Sequence, residues 1–458
     1  MDAVWESPID SGPVPKSDSN FDVIVVGGGP GGSSAAAFAA IAGYKVLLLE
    51  KAIYPRDKIC GDAVGGSAMK IVTELGVRPL IEETPLFRVD SIIFSGSGKN
   101  TTVKIKLPPD QVEDRTAGYS LPRLQFDYMM FKRATELVLE NGGSVIQNFN
   151  VHEVHITGEG GNQSIAGVSG ILGGKRSENP PLTFYAPLTI GAGGYNCPVA
   201  KTITETCHNE PMRDNDHYIA AYREYWEMDQ ESDVGAIEIH FIGGKLANGY
   251  FWIFPVNDKI VNVGCGMVIN DMNKLNTKLK ELQKWCINES EQFSKRFQNC
   301  KMIKGSDRGH LIPCGSPRKK PPSYQPRRFA MAGGACVGDS SSWVDPFSGE
   351  GLHQALLSGK MLIPHLQKND EGDLEFTSDS AHNFQTEMWN KLGPVLSNSY
   401  KLQKLVKKKW LLNWLLRRAA KDNKRGKAIR NQLELAVSTK SGQAEMSSTW
   451  QLLKMVLF

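Results

Sequence analysis

The sequence predicts an α/β protein: a Rossmann-type nucleotide-binding domain, an inserted domain of mixed β-sheet, and a C-terminal helical extension. Three observations predict this. A strand, a glycine turn, a small-residue helix and a second strand follow one another within residues 21–50. Strand-like runs then alternate with helix-like segments across 201–325, and from about residue 382 the pattern is helical, polar and basic. At 458 residues the chain exceeds what one compact core normally takes, so two or three domains are expected.

The first twenty residues carry Asp, Glu, Pro and Ser around no apolar core, which reads as a disordered leader and not a secretory signal. FDVIVV is then a short β-branched run of buried-strand type, GGGPGGSS a turn, AAAFAAIAGY a tightly packed helix, and KVLLLE a second buried strand. Gly27, Gly29 and Gly32 form G-x-G-x-x-G. In that context the glycines serve a tight turn, backbone approach to a pyrophosphate, and close helix–strand contact. The helix N-terminus supplies free N–H groups and the positive end of its dipole. Glu50, closing the second strand, is placed to accept from ribose hydroxyls and would repel a 2′-phosphate.

Further on, residues 121–140 read as an amphipathic helix stopped by Asn141-Gly142-Gly143, and 144–156 as strand. Residues 158–181, rich in Gly, Ser, Asn and Pro, read as a turn-laden excursion or long hairpin tip. A helix is expected near 272–298, a buried strand running into a glycine turn at 327–339, and a helix after Gly349.

Composition excludes several classes. Hydrophobic residues at 41% and charged residues at 22% are an ordinary globular balance, and no run reaches the roughly 18 apolar residues of a membrane-spanning helix. Eight scattered cysteines without close pairs argue against a disulfide framework or zinc ribbon and suit a reducing compartment. His310, His353 and His382 are too dispersed to argue for a metal. The net charge of +4 hides an asymmetry: residues 401–427 hold eight Lys and three Arg against one Asp, leaving the rest of the chain at −6. With no groove-reading motif, nucleic acid is not expected as a partner.

Four further segments carry a family resemblance. They are Tyr54-Pro55-Arg56-Asp57-Lys58-Ile59-Cys60-Gly61-Asp62; Arg123 with Leu124 and Asp127; Gly191-Ala192-Gly193-Gly194; and Gly338-Asp339 followed by Asp345-Pro346-Phe347-Ser348-Gly349-Glu350-Gly351-Leu352. In this order, and with Gly249–Pro255 and Val261-Asn262-Val263-Gly264, they resemble the geranylgeranyl reductase family of hydroxylase-like flavoproteins over roughly residues 21–360. Gly193 departs from that family, which usually has Asp there.

The resemblance implies that the dinucleotide is FAD and that the fold is a Rossmann-type FAD-binding domain with an inserted mixed β-sheet substrate domain. The FAD-binding domain is expected at 21–80, 115–200 and 326–365, the substrate domain at 81–114 and 201–325, and the extension at 366–458. Cofactor contacts are implied for Gly27, Gly29, Gly31, Gly32, Glu50, Cys60, Gly61, Ala63, Arg123, Val151, Asp339, Gly351 and Leu352. Asp339 would bond the ribityl hydroxyls, Arg123 the pyrophosphate or adenine side, and the helix begun by Gly351 and Leu352 the flavin edge that gains negative charge on reduction.

The implied chemistry is reduction of isolated isoprenoid double bonds by reduced FAD, with NADPH or a ferredoxin-like donor as reductant. Cys60 and Asp62 are the candidate catalytic residues. Cys60 could donate a proton, pack or sense redox state, and Asp62 could be a second acid or cap a turn. Tyr250, Trp252 and Pro346 are candidates to bind substrate. The alternative is a monooxygenase or halogenase of the same fold. Halogenases place Ile/Val-Gly-Glu where this chain has Cys60-Gly61-Asp62, and use a lysine that has no counterpart we can locate.

The basic segment 401–427 is expected to reach a membrane surface; the alternative is a solvated helix whose apolar side docks on the flavin domain. Leu402, Leu405, Val406, Leu412, Leu416 and Ala419 can share one helical side, two tryptophans suit the headgroup boundary, and the apolar run is far too short to span a bilayer. A peripheral location on the cytoplasmic side follows as an expectation.

Overall fold

The computed structural model describes residues 7–84, 87–114, 117–174, 176–230, 235–246, 248–318 and 325–438. Its centre is a six-stranded sheet in the order Ala330–Met331, Gly334–Cys336, Leu188–Gly191, Val23–Val26, Val46–Leu49, Ser144–Ile146. All neighbours are parallel except the first pair. Val23–Val26 and Val46–Leu49 are buried at every position, as parallel strands covered on both faces must be.

Helix α1 (Pro30–Ile41) starts directly after the glycine turn, with Pro30 at its first position where no N–H is needed. Its run of Gly, Ser and Ala lets other backbones come close. It packs on α2 (Arg123–Glu140) and α3 (Leu352–Leu362). Ser34 Oγ donates to Leu356 O at 2.7 Å, and a Cβ at Gly359 would stand 2.7 Å from Ala35 N.

A second, eight-stranded sheet carries its own core. Its order is Lys301–Met302, Tyr218–Glu227, Ile260–Val268, Gly249–Pro255, Ala236–His240, Ser91–Ser95, Thr102–Lys106, with Arg308–Pro313 also paired to Tyr218–Glu227. Period-two alternation divides its faces. Phe251, Ile253, Val263 and Cys265 pack outward on the helix Leu279–Asn288 and the segment after it, whereas Ala221, Trp252 and Phe254 form a separate cluster on the other face.

Two expectations from composition are corrected. Of the leader, residues 7–20 are described; most are exposed, but the segment is tied down at both ends. Ile9 is buried, Gln147 Nε2 donates to Ile9 O and Ser11 Oγ, and Ser19–Asn20 pairs in parallel with Phe184–Tyr185 at the edge of a four-stranded sheet. The attraction is edge hydrogen bonding, which polar composition does not reveal. Within 158–181, Ser164–Leu172 is a nine-residue strand between Phe149–Thr157 and Leu182–Tyr185. Its glycines answer to close neighbours and not to turns: a Cβ on Gly167 would lie 2.1 Å from Phe184 O.

The C-terminal extension is α4 (Ser378–Val406), α5 (Lys409–Ala419) and α6 (Lys424–Ser438). The helix is interrupted at Lys407–Lys408, so the apolar side expected to run through 402–419 belongs to two helices. Leu416 and Ala419 are buried against Val103 and Ile105 of the second sheet, together with Ile429 and Leu433. None of the helices, among the described residues, is long and apolar enough to cross a membrane.

Candidate active site

A cavity of about 2770 Å³ lies between the two sheets and reaches α4 and α5. At its nucleotide end the chain folds tightly on itself. Gly27 has φ +114°, and a Cβ there would meet Ala192 O at 2.5 Å; a Cβ on Gly32 would meet Gly27 O at 1.7 Å. Gly32 therefore serves helix–strand contact and does not line the cavity, whereas Gly27, Gly29 and Gly31 do. A Cβ on Gly29 would enter open space whose nearest atom is Arg56 Nη2 at 3.5 Å.

Glu50 lines this end, with Oε2 accepting from Gly28 N at 2.7 Å and Oε1 from Ala52 N at 2.9 Å. Its carboxylate is thus fixed by the loop, and each oxygen keeps capacity for a second donor. Val151 lines the same end. Tyr54 holds the turn from behind: its hydroxyl donates to Gly28 O at 2.7 Å and its ring stacks on Phe131.

Arg123, expected on the pyrophosphate or adenine side, lines the cavity. It is buried and bidentate to Asp127, with Nε–Oδ1 at 2.6 Å and Nη2–Oδ2 at 3.0 Å, and it also interacts with the Cys60 thiol. Asp127 also accepts from Arg56 Nη1 at 2.8 Å. Burial works against charge on Asp127, but Arg123 and Arg56 hold its carboxyl below the usual range. The arginine nearest the glycine turn is therefore Arg56. Its place in the Pro-Arg-x-Lys segment was the available signal for a role that the sequence reading gave only to Arg123.

The centre of the cavity is the Cys60–Ala63 loop facing the aromatic strand. Cys60, Gly61, Ala63, Tyr250, Trp252 and Phe254 all line it. Gly61 must lack a side chain, since a Cβ would stand 2.7 Å from the Phe254 ring. Asn262 ties loop to strand: Nδ2 donates to Cys60 O and Asp62 Oδ2, each at 2.7 Å, while Oδ1 accepts from Trp252 Nε1 at 3.0 Å.

Asp62 is not an acid facing this space. It is fully buried behind the loop, has φ +67°, and does not line the cavity. It accepts from Arg123 N at 3.2 Å, Asn262 Nδ2 and Tyr225 Oη at 2.6 Å. Burial pushes its carboxyl up to about 6, against the lowering by those hydrogen bonds. The turn-pinning role that the sequence left open is the one its contacts describe.

On the far wall, Asp339 accepts from Lys58 Nζ at 3.2 Å. Burial raises the Asp339 carboxyl, but Lys58 holds it below its ordinary value. Burial and the Lys58 charge push His310 down to about 3, so its ring is neutral. Gly351 caps α3 and Leu352 begins it, both lining the cavity. Glu350 Oε1 accepts from His353 N at 2.9 Å, and burial pushes this carboxyl up.

Pro346 is corrected too. It stands outside the large cavity, and its carbonyl accepts from Gln403 Nε2, so it anchors α4.

The residues present fit a flavin dinucleotide. The Gly29 cradle would be filled by a side chain, and the buried His310 Nε2 and Gln354 Oε1, in residues lining the cavity, have no partner among the described residues.

Residues 20–219 match the family model described as FAD binding domain, and 217–305 that described as geranylgeranyl reductase catalytic domain. Menaquinone reductase of Mycobacterium tuberculosis is 26% identical over 361 residues, covering 77% of this chain and 78% of that protein. Digeranylgeranylglycerophospholipid reductase of Methanocella arvoryzae is 25% identical over 396 residues, covering 85% and 88%. Among solved structures, a geranylgeranyl bacteriochlorophyll reductase-like protein from Thermoplasma acidophilum superposes with TM-score 0.68 at 18% identity over 96% of this chain and 98% of that one. A myxobacterial chondrochloren halogenase gives 0.63 at 18% identity over 96% and 97%. At such identities both structures speak for the fold alone.

Proposed function

The chain belongs to the geranylgeranyl reductase family of FAD-dependent oxidoreductases, and on that premise we propose that it reduces carbon–carbon double bonds of a geranylgeranyl or other polyprenyl lipid. The observation that carries this reading is the cavity, which joins a backbone cradle at Gly29 to a wall of apolar and aromatic side chains through the Cys60 loop.

FAD, when bound, would supply the hydride, which is chemistry no side chain offers. The residues divide the remaining work. Gly27, Gly29 and Gly31 with Arg56 would hold the diphosphate, Glu50 the ribose, and Lys58 with Asp339 the polyol. The α3 N-terminus at Gly351 and Leu352 would face the flavin's anionic edge. Cys60, beside Arg123 and lining the cavity, would bring the proton, and Tyr250 and Trp252 would orient an apolar chain and exclude water. NADPH or a ferredoxin-like protein would be the electron donor.

We further propose peripheral association with a membrane. The exposed residues of the tail include Trp410 with Lys401, Lys404, Lys408, Arg417, Lys421, Lys424, Arg425 and Lys427, against Asp422. Each basic residue near an anionic surface contributes about 1 kcal/mol.

The test is anaerobic. Purified holoprotein with dithionite or NADPH is given a geranylgeranyl lipid, and mass spectrometry looks for two hydrogens gained per bond reduced. Unchanged lipid, together with NADPH oxidation and peroxide release in air, would favour the monooxygenase or halogenase reading.

A further inference from the structure

The C-terminal extension lies beyond both family matches, which together span residues 20–305. It nevertheless forms one end of the cavity. Leu405 of α4 and Leu411, Leu412 and Leu415 of α5 line it, facing Ile92 and Phe94 of the strand Ser91–Ser95. Leu411 and Leu415 are one helical turn apart and so share a face.

The tail is held by the small core of Leu416 and Ala419 with Val103 and Ile105, against which Leu412 and Leu415 also pack; Leu405 and Leu411 are not part of it. Directional bonds assist. Asn413 accepts from Ser97 N and donates to Ser97 Oγ, both at 3.0 Å, Lys407 pairs with Asp271, and Gln403 donates to Pro346 O. Leu405, Leu411, Leu412 and Leu415 remain only half-buried. A residue half-wet in a cavity wall gains from an apolar occupant that removes the rest of its surface from water.

We propose that the tail is the distal wall of the substrate site: the end of a polyprenyl chain lies against Leu411, Leu412 and Leu415, and these residues set the chain length accepted. This rests on the lipid-reductase reading and adds to it the segment that measures the lipid. The occupant is a flexible hydrocarbon because α5 gives the wall Leu411, Leu412, Leu415 and Leu416, with Lys408 as the charged group beside them, in continuity with Trp252 and Phe254 at the centre.

The experiment titrates full-length holoprotein with two prenyl alcohols, twenty-carbon geranylgeraniol and ten-carbon geraniol, by calorimetry. Leu411→Trp should weaken geranylgeraniol about tenfold, while geraniol changes by less than about twofold. Leu411→Ala, a milder change that keeps the fold if tryptophan does not, should leave geraniol unchanged and favour longer chains. Flavin content and melting temperature should match wild type in any variant that is scored. Equal effects on both alcohols, or none on either, would overturn the wall. Wild type that binds neither alcohol would overturn the lipid reading itself and the wall with it.

Discussion

The two ends of the cavity are built by opposite means. At the nucleotide end the surface is backbone: the glycine turn, Glu50 locked by two N–H groups, and arginines fixed on one buried carboxylate. It stands on a parallel sheet whose strands are buried throughout. At the tail end the surface is side-chain methyl groups on helices, attached to the body by a small satellite core and a few polar bonds. Backbone surfaces demand particular residues at fixed spacing, because only glycine admits the close approach. Methyl surfaces demand only volume and apolarity, which many sequences satisfy. The first end should therefore fail sharply on single changes and the second by degrees.

The sharpest break is at the glycines. Gly29→Val should leave a folded protein that has lost FAD affinity by about a hundredfold or more, ~2.7 kcal/mol, read from flavin absorbance after gel filtration. Gly32→Ala should instead harm the fold, because its Cβ would meet Gly27 O. If Gly29→Val elutes yellow with full flavin, the cradle is not at Gly29.

Next in size is the buried arginine pair. Asp127→Ala leaves Arg123 and Arg56 without their shared carboxylate, and should cost about 3–5 kcal/mol in urea unfolding. A loss near zero would mean that the pair is solvated in solution.

A third test is pH dependence. Asp62 rises from an unfolded value of 3.8 to about 6 on folding, so the folded state binds the extra proton. Its contribution is fully present below the unfolded value and is lost as pH rises to about 6, amounting to about 3 kcal/mol. Asp62→Asn should flatten that part of the stability–pH curve; superimposable curves would refute a raised Asp62.

The smallest effect belongs to the tail. Trp410 is 71% exposed, so Trp410→Ala should change stability by less than about 0.5 kcal/mol. It should still reduce cosedimentation with anionic vesicles, and binding of the wild type should weaken with salt. Vesicle binding indifferent to both Trp410→Ala and salt would remove the tail as a membrane contact.

The sequence by itself determined the nucleotide end: strand, turn, α1 and second strand stand where their pattern put them, and Glu50 closes the strand as expected. It also carried the Cys60 loop and the aromatic strand as segments, since both are contiguous in the chain. What only the tertiary structure decided is which side chains face the cavity. Cys60 lines it and Asp62, two residues on, lies behind it. Phe347 lines it and Pro346 does not. Arg56 stands by the glycine turn, and Arg123 lines the cavity beside Cys60. The apolar side of the tail, which the sequence left open between a lipid bilayer and the body of the protein, turns inward onto the second sheet and the cavity. The physical reason is the same in each case. Periodicity reports that a face is apolar or a loop polar, but what covers it depends on contacts between residues hundreds of positions apart, such as Asn413 with Ser97, and no local pattern encodes those.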